Sequence, residues 1–170
     1  GNIVTNSFHK YIKSDNLNFT IKNYNFNQVF QVLNSRSELD VLIVHLTKDY
    51  FINDGYSVNY SLFNLFAKTA YDFCISNKTI LILNNIDYQN EEVVLSQNFE
   101  FQNKINILNK KLFNLTKKIN NIFLYDLNTS LNRLGYNNSF LTRNNFIFKM
   151  PYSVKMLSVI GAEYTKIIEQ

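Results

Sequence analysis

Two periods alternate along the chain. Residues 40–46 (DVLIVHL) form an almost unbroken apolar run rich in branched side chains, the pattern of a strand buried on both faces of a parallel sheet. Residues 79–83 (TILIL) repeat that pattern, and residues 2–5 (NIVT) and 122–125 (IFLY) are shorter versions of it. Residues 17–24 (LNFTIKNY) alternate apolar and polar positions and are predicted as a further strand. Between these runs the spacing becomes helical. Phe8, Tyr11 and Ile12 mark a first helix, and Val29, Phe30 and Leu33 a second within residues 27–33. Leu62, Phe63, Phe66, Ala67, Ala70, Tyr71, Phe73 and Cys74 mark a third across residues 59–76. Ile105, Leu108, Leu112, Leu115 and Ile119 predict a helix over residues 104–120, and residues 153–168 a closing one. Residues 84–103 are polar and irregular, and a loop of that length in a compact domain is usually functional or partly structured.

Strands alternating with helices predict a parallel sheet covered on both faces. The expected fold is therefore α/β, a three-layer flavodoxin-like domain with a five-stranded parallel sheet, with Val41 to Val44 and Ile80 to Ile82 fully buried. In such a sheet ligands bind outside the carboxyl ends of the strands. The stretches to search are then residues 5–9, 45–49, 84–85, 98–100 and 126–129. None carries a glycine-rich phosphate loop, which disfavours dinucleotide and P-loop nucleotide functions.

Composition narrows the reading further. At 170 residues, with 46% hydrophobic and 18% charged, the chain has the size of a single domain spanning 1–170. Asn is unusually frequent at 28 residues, and Lys outnumbers Arg 14 to 3. Both biases follow from AT-rich codons, so individual asparagines carry little functional information at this level. Cys74, the single cysteine, lies among apolar neighbours and reads as a buried free thiol. With no disulfide, no Cys-x-x-Cys and no His/Cys cluster, a reducing, cytoplasmic setting is expected, with no metal and no cofactor. The net charge of +4 is spread along the chain, and nucleic acid is not an expected partner. The doublets Lys110-Lys111 and Lys117-Lys118 fall on one side of the predicted helix, as a solvated face or a docking patch for an acidic partner. No basic leader region opens the sequence and no apolar run reaches the ~18 residues of a membrane span, so no membrane association is expected.

Asn2-Ile3-Val4-Thr5-Asn6-Ser7 resembles the nucleophile block of SGNH (GDSL-like) hydrolases, with Thr-Asn-Ser in place of Gly-Asp-Ser. Residues 41–49 (VLIVHLTKD) resemble that family's strand ending in Gly-x-Asn-Asp, with Leu46-Thr47-Lys48-Asp49 in its place. Ile147-Phe148-Lys149-Met150-Pro151 occupies the position of its Asp-x-x-His-Pro. The resemblance implies Ser7 as the candidate nucleophile. It also puts Lys48 where the oxyanion-hole Asn stands, Met150 at the general-base His and Ile147 at its Asp partner. A serine hydroxyl must lose its proton as it attacks, so a serine without a base is a weak nucleophile.

A second resemblance covers most of the chain. Ser37, residues 96–100 (SQNFE), 107–112 (ILNKKL), 125–127 (YDL) with Leu134-Gly135, and 149–153 (KMPYS) are similar, in that order, to the amino-terminal SGNH-like domain of FkbH-type proteins. In that family a haloacid-dehalogenase-like domain follows, and the whole protein serves glyceryl transfer to an acyl carrier protein or polysaccharide and capsule biosynthesis. The resemblance implies a fragment of a longer multidomain protein, whose partners are an acyl carrier protein or the downstream domain. No Asp-x-Asp-x-Thr motif of the dehalogenase kind occurs in the 170 residues.

The leading expectation is thus a catalytically degenerate module that binds a small anionic, acyl, glyceryl or sugar ligand. The alternative is an active esterase or acyltransferase using Ser7, with His45 or His9 as an atypical base. Ser7 is either a nucleophile or an N-cap, and His45 either reaches a cleft or is a hydrogen-bonded core residue. Asn6, Lys48, Asp49, Asn98, Glu100 and Lys149 are the candidate binding residues. Lys48 and Asp49 read equally as ligand contacts or a salt-bridged strand end, and Asn98 and Glu100 as cleft contacts or loop supports. Arg143 reads as an anion contact or an ion-pair partner of Asp126. Phe146, Phe148 and Tyr152 read as core or interface.

Overall fold

The structure, a computed structural model, describes residues 11–15, 20, 22, 28–35, 39–53, 57–87, 96–141 and 152–170. The chain divides into two compact units, Phe30–Asn128 and a second formed by Gly1–Val29 with Thr129–Gln170.

The first unit is built on parallel strands. After helix α1 (Val29–Asn34) come strand β1 (Val41–Val44), a 3-10 turn (Lys48–Tyr50) and a short antiparallel ribbon of β2 (Ile52–Asn53) and β3 (Ser57–Val58). Helix α2 (Tyr60–Ser76) leads to β4 (Ile80–Asn84), then α3 (Ser96–Thr116) leads to β5 (Ile122–Tyr125). The sheet order is β1-β4-β5, all parallel, with Val44 opposite Leu83 and Leu83 opposite Leu124. A mixed α/β fold with a parallel sheet is therefore present. Three strands form that sheet among the described residues, not five. Of the two others expected, residues 2–5 lie outside the described residues and residues 17–24 almost wholly so. The expected full burial of Ile80 to Ile82 holds for Leu81 and Ile82 of β4, which has a strand on each side, but not for Ile80, which is half-buried at the strand's start. It fails for β1, where Val41 and Ile43 are half-buried and only Leu42 and Val44 are buried.

Helix α2 forms because its apolar residues recur every three or four positions and bury Phe63, Phe66, Ala70, Phe73 and Cys74 on one face. Asn59 caps it, its side chain accepting the Leu62 N–H at 2.9 Å. Under its first half lies an aromatic cluster in which Phe51 meets Tyr50 at 4.8 Å, Phe63 at 5.1 Å and Phe66 at 5.6 Å between ring centroids. Phe51, Phe63 and Phe66 are fully buried and contribute about 1.5–3 kcal/mol each, and with the half-buried Tyr50 they seat the 3-10 turn that follows β1. Cys74 is the expected buried thiol, and burial pushes its pKa up to about 12.

Helix α3 departs from expectation at both ends. It starts at Ser96, not Lys104, because Phe101 extends the buried stripe of Ile105, Leu108, Leu112 and Leu115 back by one turn. Residues 96–103 of the stretch read as loop, Asn98 and Glu100 included, are thus helical. It stops at Thr116, so Lys117 and Lys118 stand in the turn beyond it and not on the helix itself.

In the second unit α4 (Leu127–Leu134), which begins at the last residues of the first unit, ends at Gly135. Gly135 has φ +79°, a left-handed conformation that glycine adopts without strain. Helix α5 (Tyr136–Ser139) and α6 (Val154–Ile168) follow. Ser153 caps α6, its Oγ accepting the Met156 N–H at 3.1 Å. Helix α6 buries Met156, Leu157, Ile160, Gly161 and Tyr164, and its Gly161 lies so close to Tyr11 that a Cβ there would overlap the Tyr11 side chain. Tyr152 is fully buried and packs on Phe140 at 5.6 Å, as expected of core, whereas Phe146 and Phe148 are outside the described residues. Among the described residues no helix is long and apolar enough to cross a membrane.

Candidate functional site

Parallel strands point their carboxyl ends one way, so the segments after β1, β4 and β5 converge on one edge of the sheet. These are His45 to Asp49, Asn84 to Asp87 and Asp126 to Asn128. Asparagine side chains order all three. Asn84, with no exposed surface, accepts the Leu46 N–H at 2.7 Å and donates to the Leu46 carbonyl at 2.8 Å, joining the exits of β4 and β1. Asn85 donates to Asp126 Oδ1 at 2.8 Å and accepts the Asn128 N–H at 3.2 Å, joining the exits of β4 and β5. Asn109, on α3, clasps Ile86 through its N–H at 2.7 Å and its carbonyl at 2.9 Å. Asn128 donates to the same carbonyl at 3.0 Å, and its own Oδ1 is buried with no hydrogen-bond partner.

The result is a rigid rim of amides with the Asp126 carboxylate exposed on it. An open groove of about 620 Å³ runs from this rim between α3 and β5, walled by Asn85, Asp126, Asn109, Phe113, Phe123 and Leu124. Its groups are suited to hydrogen bonding and partial apolar contact.

Of the candidates read from sequence, His45 is buried, and desolvation lowers its pKa to about 3. Such an imidazole stays neutral at physiological pH and is a weak proton acceptor, because a general base works best when its pKa lies near the operating pH. Lys48 is half-buried and Asp49 exposed, both in the 3-10 turn seated by Tyr50. Asn98 stands in the first turn of α3. Glu100 is exposed and pairs with Lys104 one turn along α3 at 2.7 Å, which holds its carboxyl below the usual range. The structure therefore brings His45, Lys48 and Asp49 to the carboxyl edge. Asn6, Ser7, His9, Arg143, Ile147, Lys149 and Met150 lie outside the described residues.

Sequence reasoning searched the right loops but missed Asn84, Asn85, Asn109 and Asn128. The available signal was positional: Asn84 and Asn85 directly follow an apolar strand, and Asn128 follows another by three residues.

No protein-family model matches the chain, and no curated protein matches it. A solved structure shares its fold. The crystal structure of the N-terminal part of the protein BF1531 from Bacteroides fragilis, containing a phosphatase domain complexed with Mg, matches 98% of this chain with a TM-score of 0.75 and 19% identity. The chain spans about half of that one, 48% of its length. At that identity the likeness is one of fold.

Proposed function

We propose that residues 1–170 form the SGNH-like domain of an FkbH-type protein, and that this domain binds an acyl, glyceryl or sugar intermediate, or the carrier protein bearing it, without hydrolysing esters. The observation that carries the reading is the shared fold with the N-terminal part of a phosphatase-domain protein, of which this chain spans 48%. The absence of an Asp-x-Asp-x-Thr motif from the 170 residues supports assigning phosphate chemistry to a separate haloacid-dehalogenase-like domain. The low basicity of His45 supports a binding role, since the resemblance leaves Ser7 without its usual base.

The ligand meets the carboxyl edge of the sheet. There Lys48 and Asp49 orient its charged end, and the Asn85–Asp126 rim takes its hydroxyl groups. Ser7, Asn6, Asn98, Glu100 and Lys149 remain assigned to the same function from the resemblance and their sequence positions.

Calorimetric titration with 3-phosphoglycerate and with a glyceryl-loaded carrier protein tests binding. A direct Lys48 contact is a charge-assisted hydrogen bond, so Lys48→Ala weakens affinity by about one to two orders of magnitude. Hydrolysis of p-nitrophenyl acetate tests catalysis in the same preparation: the expected rate equals that of Ser7→Ala. Ser7-dependent turnover would replace this reading with the esterase one.

A further inference from the structure

We propose that the carboxyl-terminal half of α3, with the turn after it, is a docking surface for an acidic, apolar-anchored helical segment of a protein partner. The surface goes beyond the ligand reading and does not rest on it. The chain has 17 Lys and Arg against 13 Asp and Glu. Residues 101–125 hold five of those lysines and no acid, which leaves 12 basic residues against 13 acidic ones elsewhere. The entire positive excess of the protein therefore resides in this one stretch.

Three of the five lysines are engaged locally, Lys117 among them over the Phe113 ring. Lys104 pairs with Glu100, and Lys111 donates to Asn64 Oδ1 at 3.2 Å while lying 5.5 Å from the Tyr60 ring centroid. Lys110, Lys117 and Lys118 are exposed, with no carboxylate partner among the described residues. Residues three and four apart share a helix face, so Ile107, Lys110, Phe113 and Asn114 line the side of α3 opposite its buried stripe. Ile107 is 48% exposed and Phe113 50%, two large apolar groups with a lysine between them. They stand six residues apart, roughly 9 Å along the axis and about 120° apart around it, so they flank Lys110 on either side of the line a second helix laid alongside would follow.

The same geometry disfavours single-stranded nucleic acid, which needs an open aromatic face for a base to stack on. The Lys117 ammonium already sits 4.4 Å from the Phe113 ring centroid. Complementing the helix dipole accounts for Lys117 and Lys118 just beyond the last turn but not for the exposed Ile107 and Phe113 on the helix. A carboxylate-rich helix supplies the missing counter-charges and covers both apolar groups.

The test is fluorescence anisotropy on the 170-residue chain with three labelled probes. They are an amphipathic helical peptide with Glu on its polar face and Leu on its apolar one, the same peptide with Lys for Glu, and a single-stranded DNA. The acidic peptide is expected to bind and the Lys peptide not to. Lys110→Glu with Lys117→Glu, and separately Phe113→Ala, each weaken binding by about tenfold or more, with circular dichroism and the thermal midpoint unchanged. No binding of the acidic peptide, equal binding of both peptides, indifference to both sets of substitutions, or tighter binding of the DNA would each overturn the proposal.

Discussion

Both ends of the parallel sheet are tied by asparagine amides, but in different ways. At the amino end Asn121 directs one NH2 group at three backbone carbonyls, those of Cys74, Asn77 and Thr79, at 3.1, 3.3 and 2.9 Å. Thr79 Oγ1 donates to the Leu39 carbonyl at 2.7 Å, and the Ile80 N–H to the Asp40 carbonyl at 2.8 Å. The Cys74 carbonyl lies in the last turn of α2, whose carbonyls have no partner within the helix, and the Asn121 amide fastens that turn to the starts of β4 and β5. At the carboxyl end Asn84 joins Leu46 in both directions, N–H and carbonyl together, and also donates to the Asn85 carbonyl at 2.8 Å, while Asn109 joins Ile86 in both directions. They hold loop backbone in place of a neighbouring strand. They also leave the Asp126 carboxylate exposed and the Asn128 Oδ1 without a partner. One residue type thus closes the fold at one end and shapes a recognition rim at the other. What separates the two uses is burial and direction: Asn84 is fully buried and both accepts and donates, whereas the half-buried Asn121 side chain donates to carbonyls.

The sharpest way to break this comparison is to remove the two-way clasp. Asn84→Ala leaves the buried Leu46 N–H and carbonyl unsatisfied, and each such group costs about 1–3 kcal/mol. The expected loss in urea-unfolding stability is about 3 kcal/mol or more. A loss below about 1 kcal/mol would mean that water reaches this edge and that the rim is not rigid.

The same edge has its own pH signature. Burial holds the His45 imidazole near 3 in the folded protein, whereas the unfolded chain titrates near 6.5, so the unfolded state takes up the proton first as pH falls. Stability from this group is complete above about pH 7 and declines below 6.5, with the decline ending only where the folded state itself protonates near 3. At pH 5 the expected loss is about 2 kcal/mol. Urea midpoints measured from pH 7 to pH 5 check it: His45→Gln should flatten the slope, and an equally steep slope in that variant would assign it to other groups.

The smallest effect belongs to the amino end. Asn121 is only half-buried, so water replaces its bonds in part, and Asn121→Ala is expected to cost about 1 kcal/mol. Equality with Asn84→Ala would erase the distinction between the two ends.

Much of the first unit was readable from local pattern. The helical spacing over residues 59–76 placed α2 to within one residue, and the run 79–83 placed β4 to within one residue at each end. Where expectation and structure part, the deciding contact lies elsewhere in the chain. Residues 96–103 look like loop because six of the eight are polar, acidic or amide-bearing, and only the burial of Phe101 makes that segment helix. Val41 and Ile43 look like core because they are apolar, yet their exposure is set by what packs over β1.

The sequence by itself determined the apolar face of α2, the positions of β1, β4 and β5, the buried thiol and the absence of a glycine-rich phosphate loop. Each of these depends on residue type and on neighbours a few positions away. Only the tertiary structure decided which of 28 asparagines mattered. Asn84 finds Leu46 across 38 residues and Asn128 finds Ile86 across 42. Those pairings exist only once the parallel register has set β1 and β5 on either side of β4, since a side-chain amide carries no mark of its partner until the backbone it will complete has been brought beside it.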